Sequence, residues 1–421
     1  MMDRDRLHFL LLNIGHFLDH MFTLIFATVA ALVLYREWGV GYAALLVYAT
    51  PGFFAFGVFA FPAGWLADKW SRDGMMVVFF IGIGLTSIAT SFAQTPLQIG
   101  AGLFAIGIFA AIYHPVGLAI ITVKWSNTGM RIAANGVWGN LGVACAALIT
   151  GYLIDNGGWR MAFMLPGFFS IFMGLAYVAL CRVIKQTVDT ASGAAPSQGD
   201  TNEFPAYRAH LMRVSAIIFL TTAVSSIIFQ STTFALPKIF DERLQGLAGQ
   251  LTAWIDGASI AGQGDTATVI GLLAFVVFAM ASMAQLVVGG MLDRHGPRAV
   301  FMVIASMQLI FFSLMPGLID GFALAVALGF MLGAFGQIPI NDYMIGKMAS
   351  GEFRARVYGV RYVVSFTVLA AALPLIAFVH DTWGFDTLFR ILSVAALIIL
   401  TAVAFLPRKL PVTEAASPAA E

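Results

Sequence analysis

Apolar residues run along this chain in long unbroken blocks, each ended by charges, Pro/Gly clusters or polar turns. A helix needs roughly 20 mainly apolar residues, within about 17–25, to cross the hydrocarbon core of a bilayer. Twelve blocks suffice: 7–34, 40–66, 75–92, 97–123, 132–154 and 161–181, then 211–236, 266–291, 299–318, 322–345, 357–379 and 387–406. They are numbered helices 1 to 12 below. Each is apolar all round, so periodicity does not rank its faces. Residues 182–208 are rich in Ala, Ser, Gly, Thr, Pro and Gln and predict a flexible linker. The expected architecture is an all-α membrane protein of 12 transmembrane helices in two pseudo-symmetric six-helix bundles. The bundles take residues 1–181 and 211–421, with a cytoplasmic linker at 182–210 and a short cytoplasmic tail. Residues 1–6 are charged and lead into the first block without an early small-residue cleavage site, so that block reads as a retained helix.

Composition sharpens this picture. Of 421 residues, 60% are hydrophobic and 11% charged, against about 25% charged in a soluble domain. A net charge of +1 excludes nucleic-acid binding by bulk electrostatics. Cys145 and Cys181 both lie in apolar runs and imply neither a disulfide framework nor a thiolate metal site. With both termini inside, the outer segments hold only Arg36, Arg160, Lys238, Arg243 and Arg390 of the 23 basic residues. That bias is what the positive-inside rule expects of a bacterial cytoplasmic membrane protein with both termini cytoplasmic.

The chain repeats itself. Gly64, Asp68 and Lys69 after helix 2 recur as Gly289, Asp293 and Arg294 after helix 8, and Arg131 recurs as Arg356, all at a spacing of 225 residues. Repeated halves with a site between them near the bilayer midplane are a transporter arrangement. A glycine allows close helix approach, and an acid beside bases (Asp68 with Lys69 and Arg72; Asp293 with Arg294 and Arg298) can form an ion-pair latch. The alternative is a topogenic cluster that holds the loop inside. The two loops resemble the Gly-x-Leu-x-Asp-Arg-x-Gly-Arg signature of the major facilitator superfamily, with Lys69 for the usual Arg and Ser71 for the second Gly. The second copy keeps Gly296 and adds Pro297. The resemblance implies twelve helices, alternating access and a central cavity faced by helices 1 and 4.

His16-Phe-Leu-Asp19, Tyr113-His114-Pro115 and Gly139-Asn140-Leu-Gly142 further resemble the fosmidomycin-resistance branch of drug exporters. His20 and Val116-Gly117 depart from that branch. The helix 4 arginine common in proton-coupled drug antiporters does not occur between positions 97 and 123.

Ionisable groups at mid-bilayer cost about 2.5–3.5 kcal/mol on insertion scales and need a partner or a wet cavity. Asn13, His16 and His20 step by three and four and share a face of helix 1, and Asp19 can reach His16. Such a pair exchanges a proton near neutral pH. This predicts Asp19 as the proton-binding carboxylate, with His16, His20 or His114 as relay; the alternative is a hydrogen bond that only locks helix 1. Pro115 breaks the ladder of helix 4, so His114 is either a substrate or proton ligand or a packing ring. Asn13, Asn140 and Gln230 are candidate substrate contacts. Gln285, Gln308 and Gln337 read as inter-helix hydrogen bonds, and Asp342, close to Lys347, as a gate element. His16 and His20 have the i, i+4 spacing of two metal ligands, but no supporting His, Cys or carboxylate set follows nearby, so no metal is assigned. Residues 238–265, including Trp254, predict an interfacial helix over the cavity mouth.

The expected function is a proton-coupled carrier of a small organic solute, more readily an exporter. An importing symporter, a divalent-metal carrier or a non-transporting membrane sensor or enzyme are the alternatives. Expected partners are the solute, protons and lipid, with the chain as a monomer. No cofactor, no enzyme activity and no nucleic acid are expected.

Overall fold

The computed structural model describes residues 4–125, 128–185, 205–258, 266–348 and 351–407. The first half contains Arg4–Glu37, Tyr42–Lys69, Arg72–Thr90, Pro96–Lys124, Met130–Gly157 and Trp159–Arg182. The second half begins with Pro205–Arg243. The stretch Thr266–Leu314 is two helices divided at Gly296, whose φ of 76° lies where an L side chain is strained. Asp320–Gly336 and Ile338–Met348 form one broken span, and Gly351–Ala404 is again two helices, divided at Gly384 with φ 74°. The described residues thus form the twelve predicted spans. Their starts follow local chemistry: Ser71 Oγ accepts the N–H of Gly74 (3.0 Å), and Thr95 Oγ accepts that of Gln98 (3.3 Å) ahead of Pro96.

The halves touch mainly through helices 5 and 8 and helices 2 and 11. Among the described residues, the ion pairs and ring contacts between halves concentrate at the end of the bundle away from the termini, here called the far end. There Arg36 reaches Asp241 at 3.6 Å, Lys238 lies 4.1 Å over the ring of Tyr35, and Tyr42 meets His380 edge-on at 5.4 Å. Asp155 in helix 5 accepts the Thr268 N–H at 2.6 Å at the start of helix 8, and also its hydroxyl. An anion at a helix N-terminus meets its unsatisfied N–H groups and positive dipole end.

The near end, which carries the signature loops, is different. Asp68 pairs with Arg72 of its own loop at 2.8 Å. Arg298 donates to the Ala404 carbonyl of its own half at 2.8 Å. Asp293 and Arg294 are exposed. A side chain added at Gly289 would meet open space, and one at Gly64 would make only ordinary contact with Pro115. The close approach inferred for these two glycines is therefore not seen among the described residues.

The far end also carries the helix Gln245–Ala258. Leu247 donates its N–H to Asp320 Oδ1 at 2.8 Å, so this helix rests on the second half, with Trp254 exposed. Residues 259–265 of the segment lie outside the described residues, as does the side chain of Lys347.

Lys238 is 6% exposed and ties Asp241 (2.7 Å) and Glu242 (3.7 Å) beneath Tyr35 and Tyr42. Removing one partner of a buried pair costs about 3–5 kcal/mol. Lys238→Met should therefore open the far end, raising thiol labelling of a cysteine placed at Phe53 by about tenfold or more. Unchanged labelling would mean that this pair does not hold the seal.

Candidate functional site

Helix 4 is broken where the sequence demands it. Pro115 has no N–H for the Ala111 carbonyl, and the helix runs as Pro96–Ala110 and Tyr113–Lys124 with a turn between. The break lets Tyr113 and His114 face helix 1 together. The Tyr113 hydroxyl donates to the Leu12 carbonyl at 2.7 Å, and its ring stacks on His16 at 4.8 Å with 17° between planes. Helix 5 closes the third side. A side chain on Gly142 would fall 2.2 Å from the Phe17 carbonyl oxygen, so only glycine lets the two backbones approach this closely.

Behind the cavity wall is a buried polar network. Asn135 donates its amide N–H groups to Asn13 Oδ1 (2.9 Å) and to the Tyr113 hydroxyl (2.8 Å), and its backbone carbonyl lies 2.8 Å from His16 Nδ1. A carbonyl only accepts, so His16 carries its proton on Nδ1 and leaves Nε2 as an acceptor. His20 Nε2 stands 3.1 Å from that nitrogen and donates to it. Asp19 is 1% exposed. His114 Nε2 stands 3.4 Å from its Oδ2, yet neither carboxylate oxygen has an aligned hydrogen-bond donor. The contact is long and poorly aligned, short of a hydrogen bond.

A cavity of about 190 Å³ opens between the halves. Asp19, His20 and His114 line it from the first half, with Phe53 and Phe56; Ser226, Phe229, Gln230 and Thr233 line it from the second. Four residues named from sequence thus line one cavity: Asp19, His20 and His114 from the first half and Gln230 from the second. The same-helix pairing drawn between Asp19 and His16 is replaced by one across helices, with His114. His16 stands behind His20, and Asn13 behind His16, both buried. Asn140 faces Gln285 of the other half at 3.5 Å and is outside the cavity lining. Gln308 donates to Gln337 (3.0 Å), which donates to the Ser225 carbonyl (3.2 Å), an inter-helix bridge inside the second half. Asn341 accepts from Thr221 at 3.2 Å beside partly buried Asp342.

Sequence reasoning missed Asn135, although an amide near the start of helix 5, four residues after Arg131, was a signal of the kind used for Asn140. It also missed Phe53, Phe56 and Phe229, because phenylalanines in apolar helices carry no mark of which face a cavity.

Two six-helix halves around one interfacial cavity are the arrangement of a polytopic membrane transporter. The chain belongs to the Major Facilitator Superfamily, whose model matches residues 12–264 and 258–421. It is 32% identical over 109 residues to a puromycin resistance protein of Streptomyces alboniger, covering 25% of this chain and 22% of that one. It is 24% identical over 136 residues to a gallate transporter of Pseudomonas putida, covering 32% and 30%. The chain thus spans only 22% and 30% of the length of these curated relatives. Among solved structures, a D-xylose–proton symporter superposes with a TM-score of 0.68 at 13% identity, over 98% of this chain and 100% of that one. At that identity the likeness concerns the fold alone.

Proposed function

We propose that this protein is a proton-coupled secondary transporter that exports a small organic solute across a bacterial cytoplasmic membrane. The observation that carries the reading is the cavity shared by both halves, with a buried carboxylate and an imidazole at 3.4 Å on its wall. With the termini cytoplasmic, as the basic residues suggest, the closed far end is outside and the cavity belongs to an inward-facing state. Rocking of the halves about the cavity then exposes it to the other side. Asp19 takes the proton, and His114, relayed through His20 and His16, leaves or rejoins it as the state changes. Gln230, from the second half, orients the solute, and Asn13 and Asn140 act at a distance by holding helices 1 and 5. The loops at Asp68, Lys69 and Arg72 and at Asp293, Arg294 and Arg298, with Asp342, latch the near end when it closes. One chain contains both halves and works as a monomer. The likeness to a puromycin resistance protein, and the motif resemblance to the fosmidomycin-resistance branch, support a drug or metabolite as cargo.

A second reading is proton-driven uptake of an organic acid, favoured by the likeness to a gallate transporter and by imidazoles on the cavity wall. Proteoliposomes of known orientation separate the two, with labelled puromycin and labelled gallate as probes. Export predicts puromycin accumulation in inside-out vesicles with an acidic lumen; uptake predicts gallate accumulation in right-side-out vesicles in acidic medium. Flux of neither probe above protein-free vesicles would count against both cargo assignments.

A further inference from the structure

We propose that His16, His20 and His114 form a binding site for a divalent transition-metal ion, with Asp19 as the carboxylate that balances its charge. Each ring offers one nitrogen, and the three nitrogens all lie within 4.8 Å of one another. Two nitrogens bound tetrahedrally at about 2.0–2.1 Å from one ion stand about 3.3–3.4 Å apart. The His16 and His20 nitrogens are already at 3.1 Å, and the His114 nitrogen, no more than 4.8 Å from either, completes the triangle.

The surroundings are those of a ligand set. Histidines that hold a metal usually donate their other N–H to a carbonyl or carboxylate, which fixes tautomer and ring direction. His16 does this through Nδ1 to the Asn135 carbonyl at 2.8 Å. That carbonyl is held in turn: the Asn135 side chain is anchored by Asn13 and Tyr113. Asp19 supplies a second, independent observation. It is buried with both oxygens lacking an aligned hydrogen-bond donor and His114 Nε2 only at 3.4 Å, and a buried carboxylate without hydrogen bonds is costly. Three neutral imidazoles and this carboxylate sum to −1; a divalent ion brings the site to +1 and supplies the missing partner. Nitrogen-rich donors select zinc, cobalt or nickel over magnesium or calcium, which prefer oxygen. Asp19, His20 and His114 lie on the cavity wall, which gives the ion its entry path. The proposal needs only this cluster, not proton coupling or an organic cargo.

The test is equilibrium binding to the full, tag-free chain, purified in detergent and stripped with a chelator. Titration with Co²⁺, followed by the visible absorption of a tetrahedral ion, and with Zn²⁺, followed by calorimetry, should give one ion per chain. Zn²⁺ should also raise the thermal midpoint, since it binds the folded state. His20→Gln and His114→Gln should each weaken Zn²⁺ binding by about tenfold or more and abolish the Co²⁺ band, while the metal-free midpoint of at least one stays that of the parent. His16 is left alone because its ring is packed on Tyr113. Absence of stoichiometric binding, or binding unaltered in both variants, overturns the site and leaves the three rings as a hydrogen-bonded cluster. No gradient is applied, so failure here is distinct from failure of pH-driven solute flux in vesicles.

Discussion

Asp19→Asn should abolish pH-driven solute flux, reducing it to the level of protein-free vesicles, while solute exchange without a gradient stays within about threefold of the parent. Asparagine has the shape of aspartate but takes up no proton at any working pH. The carboxylate is 1% exposed with no aligned donor, and a charge at this depth costs about 2.5–3.5 kcal/mol on insertion scales. The neutral side chain removes that cost, so the thermal midpoint should not fall. The variant therefore separates coupling from folding. Parent and variant also differ in pH response: exchange by the parent changes as Asp19 gains or loses its proton, whereas exchange by Asp19→Asn should be flatter over the same range. Coupled flux that survives the substitution would remove Asp19 from the mechanism and leave the cavity as a binding site alone.

The second large effect concerns the contact that holds helix 1 in place. Gly142→Val should leave little folded protein in detergent. A Cβ there would sit 2.2 Å from the Phe17 carbonyl oxygen and 2.9 Å from its carbon. Backbone cannot rotate away as a side chain can, so helices 1 and 5 must separate. Overpacking of a tight core costs typically about 1–3 kcal/mol, occasionally more; the isopropyl group, inserted between two backbones, belongs at the upper end. The same separation would pull His16 from Asn135 and so disorder the cluster. Gly136→Ala, six residues earlier on the same helix, meets no atom within 4 Å and gains helix propensity of about 1 kcal/mol. Its thermal midpoint should equal or exceed that of the parent. Equal loss of both variants would mean that helix 5 tolerates no change for a reason other than this contact.

The contrast between these two glycines marks what could be read in advance. Gly142 belonged to a recognised motif, Gly139-Asn140-Leu-Gly142, yet the reason for it, the carbonyl of Phe17, lies 125 residues away in sequence. Gly64 and Gly289 were singled out by the internal repeat, and in this conformation neither packs tightly. The repeat reports a relation between halves; it does not say at which end they are in contact. The outer seal was invisible for a similar reason. Lys238 and Arg36 were noted only as exceptions to the inside bias of basic residues. Their roles appear once Tyr35, Tyr42 and Asp241 are brought against them.

What the amino-acid order determined by itself was the count of helices, their approximate ends, and the short roster of titratable groups inside them. The hydrocarbon core sets a length that each apolar run either meets or fails, and any charge within a run is conspicuous by its cost. The pairing of those groups was decided only by the tertiary structure. A helix that is apolar all round carries no signal of its rotation, so Asp19 was as free in sequence to meet His16 as His114. The break at Pro115 and the tight seating of helix 5 settled that choice, turning Asp19 to His114, His20 to His16, and Asn13 to an amide no reading had named.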